Sequence, residues 1–561
     1  MSMRDSNIEK LGRETYDVLI IGGGINGAVC SSALTTMGAR VALIDRGDFS
    51  GSTSQESSNL VWGGIKYLET AELGLVRKLC VSRNQLIRTY PSTVKEIRFL
   101  TTLDAGFRHN RFILYAGALL YWLLGSFFTR GPRLLGKARI KAAEPTIDSE
   151  RSVGGFEYSD AYLVDNDARF VFGFVRAAID HGGIVANYVE SLGATRTDDG
   201  FWMTRARDVT TAREFEIRSR VLVNACGPFV DAHNELSGQR TTHRHLFSKG
   251  VHLMVDRITP VTRVLTFFAD DGRLFFVLPM GPKSCLGTTD TRVEELPATV
   301  TDEDRRFILD NVNKRLALER PLTEDDIIAE RCGVRPLVVE GAGRDRDSGD
   351  WTSLSRKHAI ELDRETSHIS IFGGKLTDCL NVGEEVAEFV TELGVDLPYR
   401  GKRWYGEPPD EVRDEYFHQA TLMKLDAMTA PESSEPLSTR LWRRYGASAL
   451  RLLEDIRQDP EMAEVLIRGT EYIRAEIHHA ARREMIVKLE DFVRRRSKIA
   501  LIERTEEIRQ APGLLEACRI LFGDEAEERV DEYLARTRTP TAEPHPAGLA
   551  GTSGNTDTRT S

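Results

Sequence analysis

The sequence predicts an α/β protein: a parallel sheet assembled from separated stretches of chain, an inserted antiparallel sheet, and an all-α C-terminal domain. Three observations carry this expectation. A strand, a glycine cluster, a helix and a second strand follow one another within residues 16–45. Two later apolar runs end in glycine as the first strand does, and beyond Pro408 the spacing turns helical with few Gly or Pro. A chain of 561 residues has room for two to four domains at roughly 150 residues each.

Tyr16–Ile21 (YDVLII) is a β-branched apolar run, Ala28–Met37 has helical spacing and Arg40–Asp45 (RVALID) is a second strand, giving a βαβ unit. Val221–Ala225 (VLVNA), ending in Cys226-Gly227-Pro228, and His368–Phe372 (HISIF), ending in Gly373-Gly374, return to the same sheet. A discontinuous Rossmann-like domain follows, with pieces at about 16–100, 155–250 and 330–400 inside a region spanning 16–400. The intervening chain contributes a helix (168–181), a strand (184–189), hairpin-like alternation over 201–217 and further β character at 252–255 and 274–278. Residues 401–536 are expected to form the helical domain, with 471–489 and 491–502 as examples. Residues 1–15 are assigned to an N-terminal tail, and the Thr/Pro/Gly/Ser-rich residues 537–561 to a disordered tail.

Composition narrows the function. A hydrophobic content of 41% with 29% charged residues fits a folded soluble protein rather than a disordered or polytopic membrane chain. The net charge of −10 argues against nucleic acid as the main partner. The seven cysteines are scattered without C-x-x-C, so no disulfide framework or metal site is expected, and a reducing cytoplasm fits. The polar N-terminus lacks a secretory signal. His243, His245, His478 and His479 are expected at the surface.

Gly22-Gly23-Gly24-Ile25-Asn26-Gly27 fits G-x-G-x-x-G between strand and helix, with Asp45 ending the next strand. The glycines admit a pyrophosphate to the helix N-terminus, Asp45 accepts from an adenosine ribose, and an acid there disfavours a 2′-phosphate. The hydroxyl-rich stretch 51–68 offers many donors to a flat polar ring, although on composition alone it reads equally as a surface loop.

The run SSNLVWGGIKYLE, with GGGINGA before it and FEYSDAYLVDNDAR, NACGPFV, GTTD, CGVRPL and FGGKLT after it, resembles the FAD-dependent glycerol-3-phosphate dehydrogenases of the respiratory chain. The resemblance runs in order from about Tyr16 to Thr377, and DFVRRRSKIAL (Asp491–Leu501) is similar to part of that family's C-terminal helical domain. It implies that Gly22, Gly24, Gly27 and Asp45 hold the ADP half of FAD, with Ser57, Ser58 and Leu60 along the isoalloxazine. Gly227, Gly373, Gly374, Lys375 and Leu376 approach the pyrophosphate or ring. For substrate it implies Lys66, Tyr67, His252, Thr288, Arg335 and Lys375, with His252 and Arg335 as catalytic groups. A phosphate dianion requires fixed cations, and hydride loss from a secondary alcohol requires a proton acceptor. On residues alone, His252 reads more readily as a packed core or surface histidine than as a base.

Three positions depart from the family pattern: Trp62 stands where His is usual, Lys66 where Arg is usual, and Thr377-Asp378-Cys379-Leu380 lacks an Arg. Lys66 keeps the charge but loses the bidentate fork. The resulting expectation is oxidation of sn-glycerol 3-phosphate to dihydroxyacetone phosphate, with electrons passed through FAD to a membrane quinone. The alternatives are an oxidase using oxygen, the same fold acting on another hydroxy acid or polyol phosphate, and a membrane-associated binding or sensor protein.

From Ala105 to Ala143 no acidic residue occurs, while Arg108, Arg111, Arg130, Arg133, Lys137, Arg139 and Lys141 flank the apolar run Phe112–Phe128. As a helix that run rises about 25 Å, short for a hydrocarbon core of about 30 Å. Either it lies in the interface of an anionic membrane surface, as the resemblance favours, or it is a buried core helix. Peripheral attachment to the inner face of the cell membrane is therefore expected, and a homodimer is allowed.

Overall fold

A computed structural model describes residues 2–104, 110–150, 152–269, 272–341, 357–431 and 433–538. Of the tail expected over 537–561, Thr537 and Arg538 instead end the helix Ala526–Arg538, and residues 539–561, like Arg108, lie outside the described residues.

The first sheet is built around Thr15–Ile21, which pairs in parallel with Val41–Ile44 on one side and Glu214–Asn224 on the other. Ile184–Ala186 and His368–Phe372 extend it, also in parallel, and Ala359–Asp363 closes one edge in antiparallel fashion. Its centre is an unbroken apolar run because both faces are covered. Helix Ile25–Thr36 lies on one face with helices Asp167–Asp180 and Cys379–Glu392 beside it. The meander Val189–Arg196, Trp202–Asp208 and Glu214–Asn224 closes the other face over Leu19, Ile21 and the buried Trp202.

The second sheet is largely antiparallel, with Val264–Phe268 parallel to Val94–Asp104 as the exception. Its axis is the long strand His243–Asp256, paired with Ala329–Glu340 from His243↔Glu340 to Met254↔Ala329 and with Lys283–Gly287. Val94–Asp104 and Ser152–Leu163 also hydrogen-bond into this sheet, together with Leu60–Val61. Strands at the ends of the pieces 16–100, 155–250 and 330–400 thus pair with the inserted sheet rather than the parallel one. An apolar strand's composition does not record which sheet it joins.

The C-terminal region contains helices Asp410–Leu422, Leu437–Tyr445, Ala449–Gln458, Arg474–Arg483, Leu514–Phe522 and Ala526–Arg538 around two small cores. The helix expected over 491–502 is broken. Asp491–Arg496 is a π-helical turn, Ser497 is extended, and Ile499–Ile502 is a separate short helix. Residues 3–11, within the expected N-terminal tail, form a helix capped by Ser2, whose Oγ accepts from the Asp5 N–H at 3.1 Å. Ile8 and Leu11 bury its inner face, while Arg4 donates to Asn187 O at 2.9 Å and to Asp208 at 2.6 Å.

The apolar run forms helix Arg111–Leu124 with Ala118 and Tyr121 buried. Phe112, Ile113, Leu119, Leu120 and Leu123 stay exposed along one stripe, so it is not a buried core helix. No helix among the described residues is long and apolar enough to cross a membrane. His245 and His479 are buried, contrary to the surface expectation, because His245 packs against the Phe372 ring and accepts from Gly373 N–H, and His479 lies on the inner side of its helix.

Removing Arg4 leaves Asp208 buried without its cation. Arg4→Ala is expected to lower stability by about 3 kcal/mol while leaving bound cofactor per folded molecule unchanged, read by denaturant melts and visible absorbance.

Candidate active site

At the end of strand Thr15–Ile21 the chain turns through Gly22, whose φ of +102° is left-handed. A Cβ at Gly22 would stand 2.5 Å from Ala225 O, and one at Gly27 would stand 1.8 Å from Gly22 O. Side chains are excluded there by backbone packed against backbone. Helix Ile25–Thr36 opens with no side-chain cap at Gly24 and no acidic residue in its first turn, so its positive end is presented to an anion. Asp45 accepts from Gly23 N–H at 2.6 Å and Gly47 N–H at 2.8 Å. Burial raises its carboxyl to about 6 against the pull of those bonds, and ribose hydroxyls are the donors that would complete its shell. This close-packed turn, a helix start whose Ile25 N–H meets only the neutral Ser54 hydroxyl, and the strand-end acid fit the ADP portion of FAD. Gly227, with φ +57°, opens the turn after Cys226, whose Cα lies 3.0 Å from a Cβ built on Gly22.

Gly373 and Gly374, both at positive φ, close the far side of the same helix end. Asn26 Nδ2 donates to Gly373 O at 2.9 Å, while Gly373 N–H donates to His245 Nε2 at 3.0 Å. A Cβ on Gly374 would meet Asn26 Oδ1 at 2.9 Å. Lys375 and Leu376 follow directly.

From this helix end a cavity of about 310 Å³ runs toward the second sheet. It is lined by Ser57, Ser58, Leu60, Gly374 and Leu376 together with Lys66, Tyr67, His252, Thr288, Arg335 and Lys375. The structure thus gathers the expected ring-side and substrate residues into one cavity, while Gly22, Gly24, Gly27, Asp45 and Gly227 flank the nucleotide side.

His252 lies on the central strand of the second sheet and is buried, with Nε2 3.0 Å from Ser58 Oγ. Burial first, then the Arg335 and Arg331 guanidinium groups, hold its pKa well below the ordinary value of 6.5, so the ring is neutral at pH 7. With the proton on Nδ1, Nε2 accepts from Ser58 and is the basic atom. Arg335 donates to Thr288 Oγ1 at 2.9 Å and pairs with Asp290 at 3.4 Å. Gly250 leaves room for that guanidinium, since a Cβ there would stand 2.2 Å from Arg335 Nη2. Lys375 Nζ donates to Tyr67 Oη at 2.6 Å and lies 4.0 Å from its ring centre. A neutral base in a cavity lined by Lys66, Arg273, Arg335, Lys357 and Lys375 suits an anionic substrate that surrenders a proton.

The unusual positions are also at the cavity. Trp62 and Lys66 line it, and Thr377 Oγ1 donates to Trp62 O at 3.1 Å. Asp378 turns away to His358 at 2.7 Å and Lys78 at 3.4 Å. Several residues that hold this geometry are invisible to motif reading. Glu56, Asp290 and Arg273 line the cavity, and Arg331 lies behind it, donating to Ser57 O and to Asn59 Oδ1 at 3.0 Å. Asp167 accepts from Ser57 N–H at 2.9 Å. Glu56 and Arg331 each stand immediately before a quoted motif, so adjacency to SSNLVW and CGVRPL is the available signal.

Residues 17–353 match the FAD dependent oxidoreductase family, and residues 365–529 match the C-terminal domain of alpha-glycerophosphate oxidase. Glycerol-3-phosphate dehydrogenase 2 of Mycobacterium tuberculosis is 31% identical over 499 residues, covering 88% of this chain and 82% of that protein. Aerobic glycerol-3-phosphate dehydrogenase of Staphylococcus aureus is 27% identical over 501 residues, covering 87% and 88%. Among solved structures, the glycerol-3-phosphate dehydrogenase of Bacillus halodurans complexed with FAD superposes with TM-score 0.68 at 23% identity over 96% of this chain and 97% of that one, a likeness of fold.

Gly27→Ala is expected to yield protein without the flavin's visible absorbance, because its Cβ would overlap Gly22 O. Gly117→Ala, whose Cβ meets nothing within 4 Å, is expected to keep it.

Proposed function

The chain belongs to the FAD-dependent oxidoreductase family, and from that premise we propose that it oxidises sn-glycerol 3-phosphate to dihydroxyacetone phosphate and passes the electrons to a membrane quinone. The observation that carries this reading is the convergence of Lys66, Lys375 and Arg335 with a neutral His252 in one cavity beside the nucleotide loop.

Ser57, Ser58 and Leu60 would hold the flavin ring of FAD, which would supply the hydride acceptor. Lys66, Lys375 and Arg335 bind and orient the phosphate dianion. Thr288, held by Arg335, offers a hydroxyl to the glycerol part. The C2 hydroxyl takes the place of the Ser58 hydroxyl at the single lone pair of His252 Nε2 and passes its proton there, and the resulting Nε2–H then donates to Ser58 Oγ. The base is already neutral at working pH, because burial and the two arginines disfavour its protonation.

The relatives named for glycerol 3-phosphate support the substrate, and the α-glycerophosphate oxidase type of the C-terminal domain keeps oxygen in view as an acceptor. Trp62 and Lys66 motivate a second reading, a different polyol phosphate or hydroxy acid in the same cavity. The exposed stripe Phe112, Ile113, Leu119, Leu120 and Leu123, with Arg133, Arg139 and Lys141 exposed nearby, supports peripheral attachment to an anionic bilayer.

Anaerobic sn-glycerol 3-phosphate is expected to bleach the holoprotein's flavin bands, whereas glycerol and glycerate 3-phosphate leave them unchanged; a flavin that stays oxidised sinks this substrate. Stoichiometric peroxide in air without quinone would point to the oxidase. His252→Asn is expected to slow bleaching by about a hundred-fold or more with flavin retained. In the unaltered protein the acid limb of the reduction rate lies well below pH 6.5.

The triple substitution Ile113→Ser, Leu120→Ser, Leu123→Ser is expected to abolish co-sedimentation with anionic vesicles while leaving bleaching by substrate unchanged.

A further inference from the structure

The loop that carries Ser57 and Ser58 is held from outside its own domain. It begins at Asp48, a buried carboxylate to which Arg495 Nε donates at 2.7 Å and Arg496 donates twice at 2.8 Å. Farther along, Arg494 donates to Gln55 O at 3.1 Å and to Glu56 at 3.0 Å, and Arg495 donates to Gln55 Oε1 at 3.2 Å. These three consecutive arginines all belong to the π-helical turn Asp491–Arg496 of the C-terminal domain, and all are buried. In an α-helix, consecutive residues point about 100° apart; the widened turn lets three neighbours serve one loop.

Glu56 is the joint between this turn and the cavity. It lines the cavity, pairs with Arg494 and accepts from Cys332 N–H at 3.2 Å. The next residues are fixed in turn, Ser57 by Asp167 and Arg331, and Ser58 against His252. Charges alternate through the buried row Arg494, Glu56, Arg331 and Asp167. Asn166 ties the row back to the turn, donating to Ser497 O at 2.6 Å. Arg494 touches neither substrate nor cofactor wall directly; it reaches them through the Gln55–Ser58 backbone.

We propose that Arg494 is a positioning residue for the oxidation site: through Glu56 it sets the Ser57–Ser58 wall and the orientation of His252, so that docking of the C-terminal domain and tight flavin binding are one event. This rests on the reading of the cavity as the FAD and substrate site. The charge pair and its two-fold hold on the loop are the operative features, since without Arg494 the Glu56 carboxylate keeps only Arg331 and the Cys332 N–H to offset its burial.

The test uses full-length holoprotein carrying Arg494→Met, Arg494→Lys or the double change Arg494→Met, Glu56→Gln. FAD release is followed by the rise of flavin fluorescence on dilution, the bound flavin by its visible bands, and its reduction by rapid mixing with sn-glycerol 3-phosphate. For Arg494→Met, FAD release is expected about ten-fold faster or more, with shifted visible bands and a limiting reduction rate that falls further than half-saturation rises. Arg494→Lys is expected to lie between this variant and the parent. The double variant is expected to recover part of the flavin retention because no unpaired carboxylate remains.

Unchanged flavin release and bands in Arg494→Met, with only a lower melting temperature, would overturn the proposal. Should that variant not fold, Glu56→Gln alone is measured; faster release supports the proposal and parental release overturns it. The release and band measurements need no substrate, so a parent protein that glycerol 3-phosphate does not bleach would remove the substrate reading and leave this one standing or falling by itself.

Discussion

A row of buried ion pairs holds the three parts of this molecule in register. Asp48, Asp165 and Asp167 stand at the joints between sheet and helix, each fully buried, and each receives arginines from elsewhere. Arg443 and Arg444, from the C-terminal domain, both reach Asp165, at 2.6 Å and 2.7 Å, and Arg444 continues to Glu476 at 3.0 Å. Arg169 on the helix beside the nucleotide sheet returns the contact to Glu484 at 2.7 Å. Burial alone would push the Asp165 and Glu484 carboxyls upward. The arginines outweigh it, holding Asp165 well below the usual range and Glu484 at about 2. Asp491 is raised instead, because burial and the charge of Asp48 outweigh the arginines they share. Such a network adds little net stability over an apolar interface of equal shape, but a displaced partner strands a charge, so the arrangement penalises every other docking of the domains.

How much of this was legible in the sequence depends on the range of the interactions involved. The βαβ unit was readable because YDVLII, the glycines and RVALID are adjacent, and His368–Phe372 is found at the bounds expected of it. The glycine turn was legible for the same reason, since backbone contact inside one turn dictates residue type locally. Sheet membership was not. Val94–Asp104 joins the second sheet through Val264–Phe268, and Ser152–Leu163 joins through Val94–Asp104, pairings made between distant stretches of chain. The broken helix at 491–502 was hidden too, because DFVRRR has ordinary helical composition and only the demands of Asp48, Gln55 and Glu56 widen its turn. Resemblance named the cavity residues; it left out Glu56, Arg331 and Asp167, which touch one another rather than a ligand.

The electrostatics of the cavity follow from the same economy of charge. His252 is kept neutral by burial and by Arg335, the guanidinium proposed to hold the phosphate. One cation therefore serves twice, attracting an anionic substrate and disfavouring protonation of the base that must receive its proton. Asp290 tempers Arg335 from the side, accepting also from Ser248 Oγ and thereby fixing the plane of the fork. Lys66 offers a point charge where a fork is usual, but it stands beside Trp62, and Thr377 holds the Trp62 carbonyl. The departures at 62, 66 and 377 are thus one rearranged patch of wall.

That patch is joined to the apolar helix by a single buried carboxylate. Asp160 accepts from Tyr121 Oη at 2.6 Å and Gly63 N–H at 3.1 Å, and pairs with Arg83 at 3.2 Å. Tyr121 is on the inner side of helix Arg111–Leu124, and Gly63 follows Trp62 directly. The fit is close enough that a Cβ on Gly63 would stand 2.2 Å from the Tyr121 hydroxyl. The helix whose outer stripe is proposed to meet lipid is therefore fastened, on its inner side, to the chain segment that presents Trp62 and Lys66 to the cavity. Burial disfavours ionisation of Asp160, and the tyrosine, the glycine N–H and the arginine are what make its burial tolerable. Movement of the helix would strip donors from that carboxylate, so the cavity wall and the exposed apolar face are constrained to shift together or not at all.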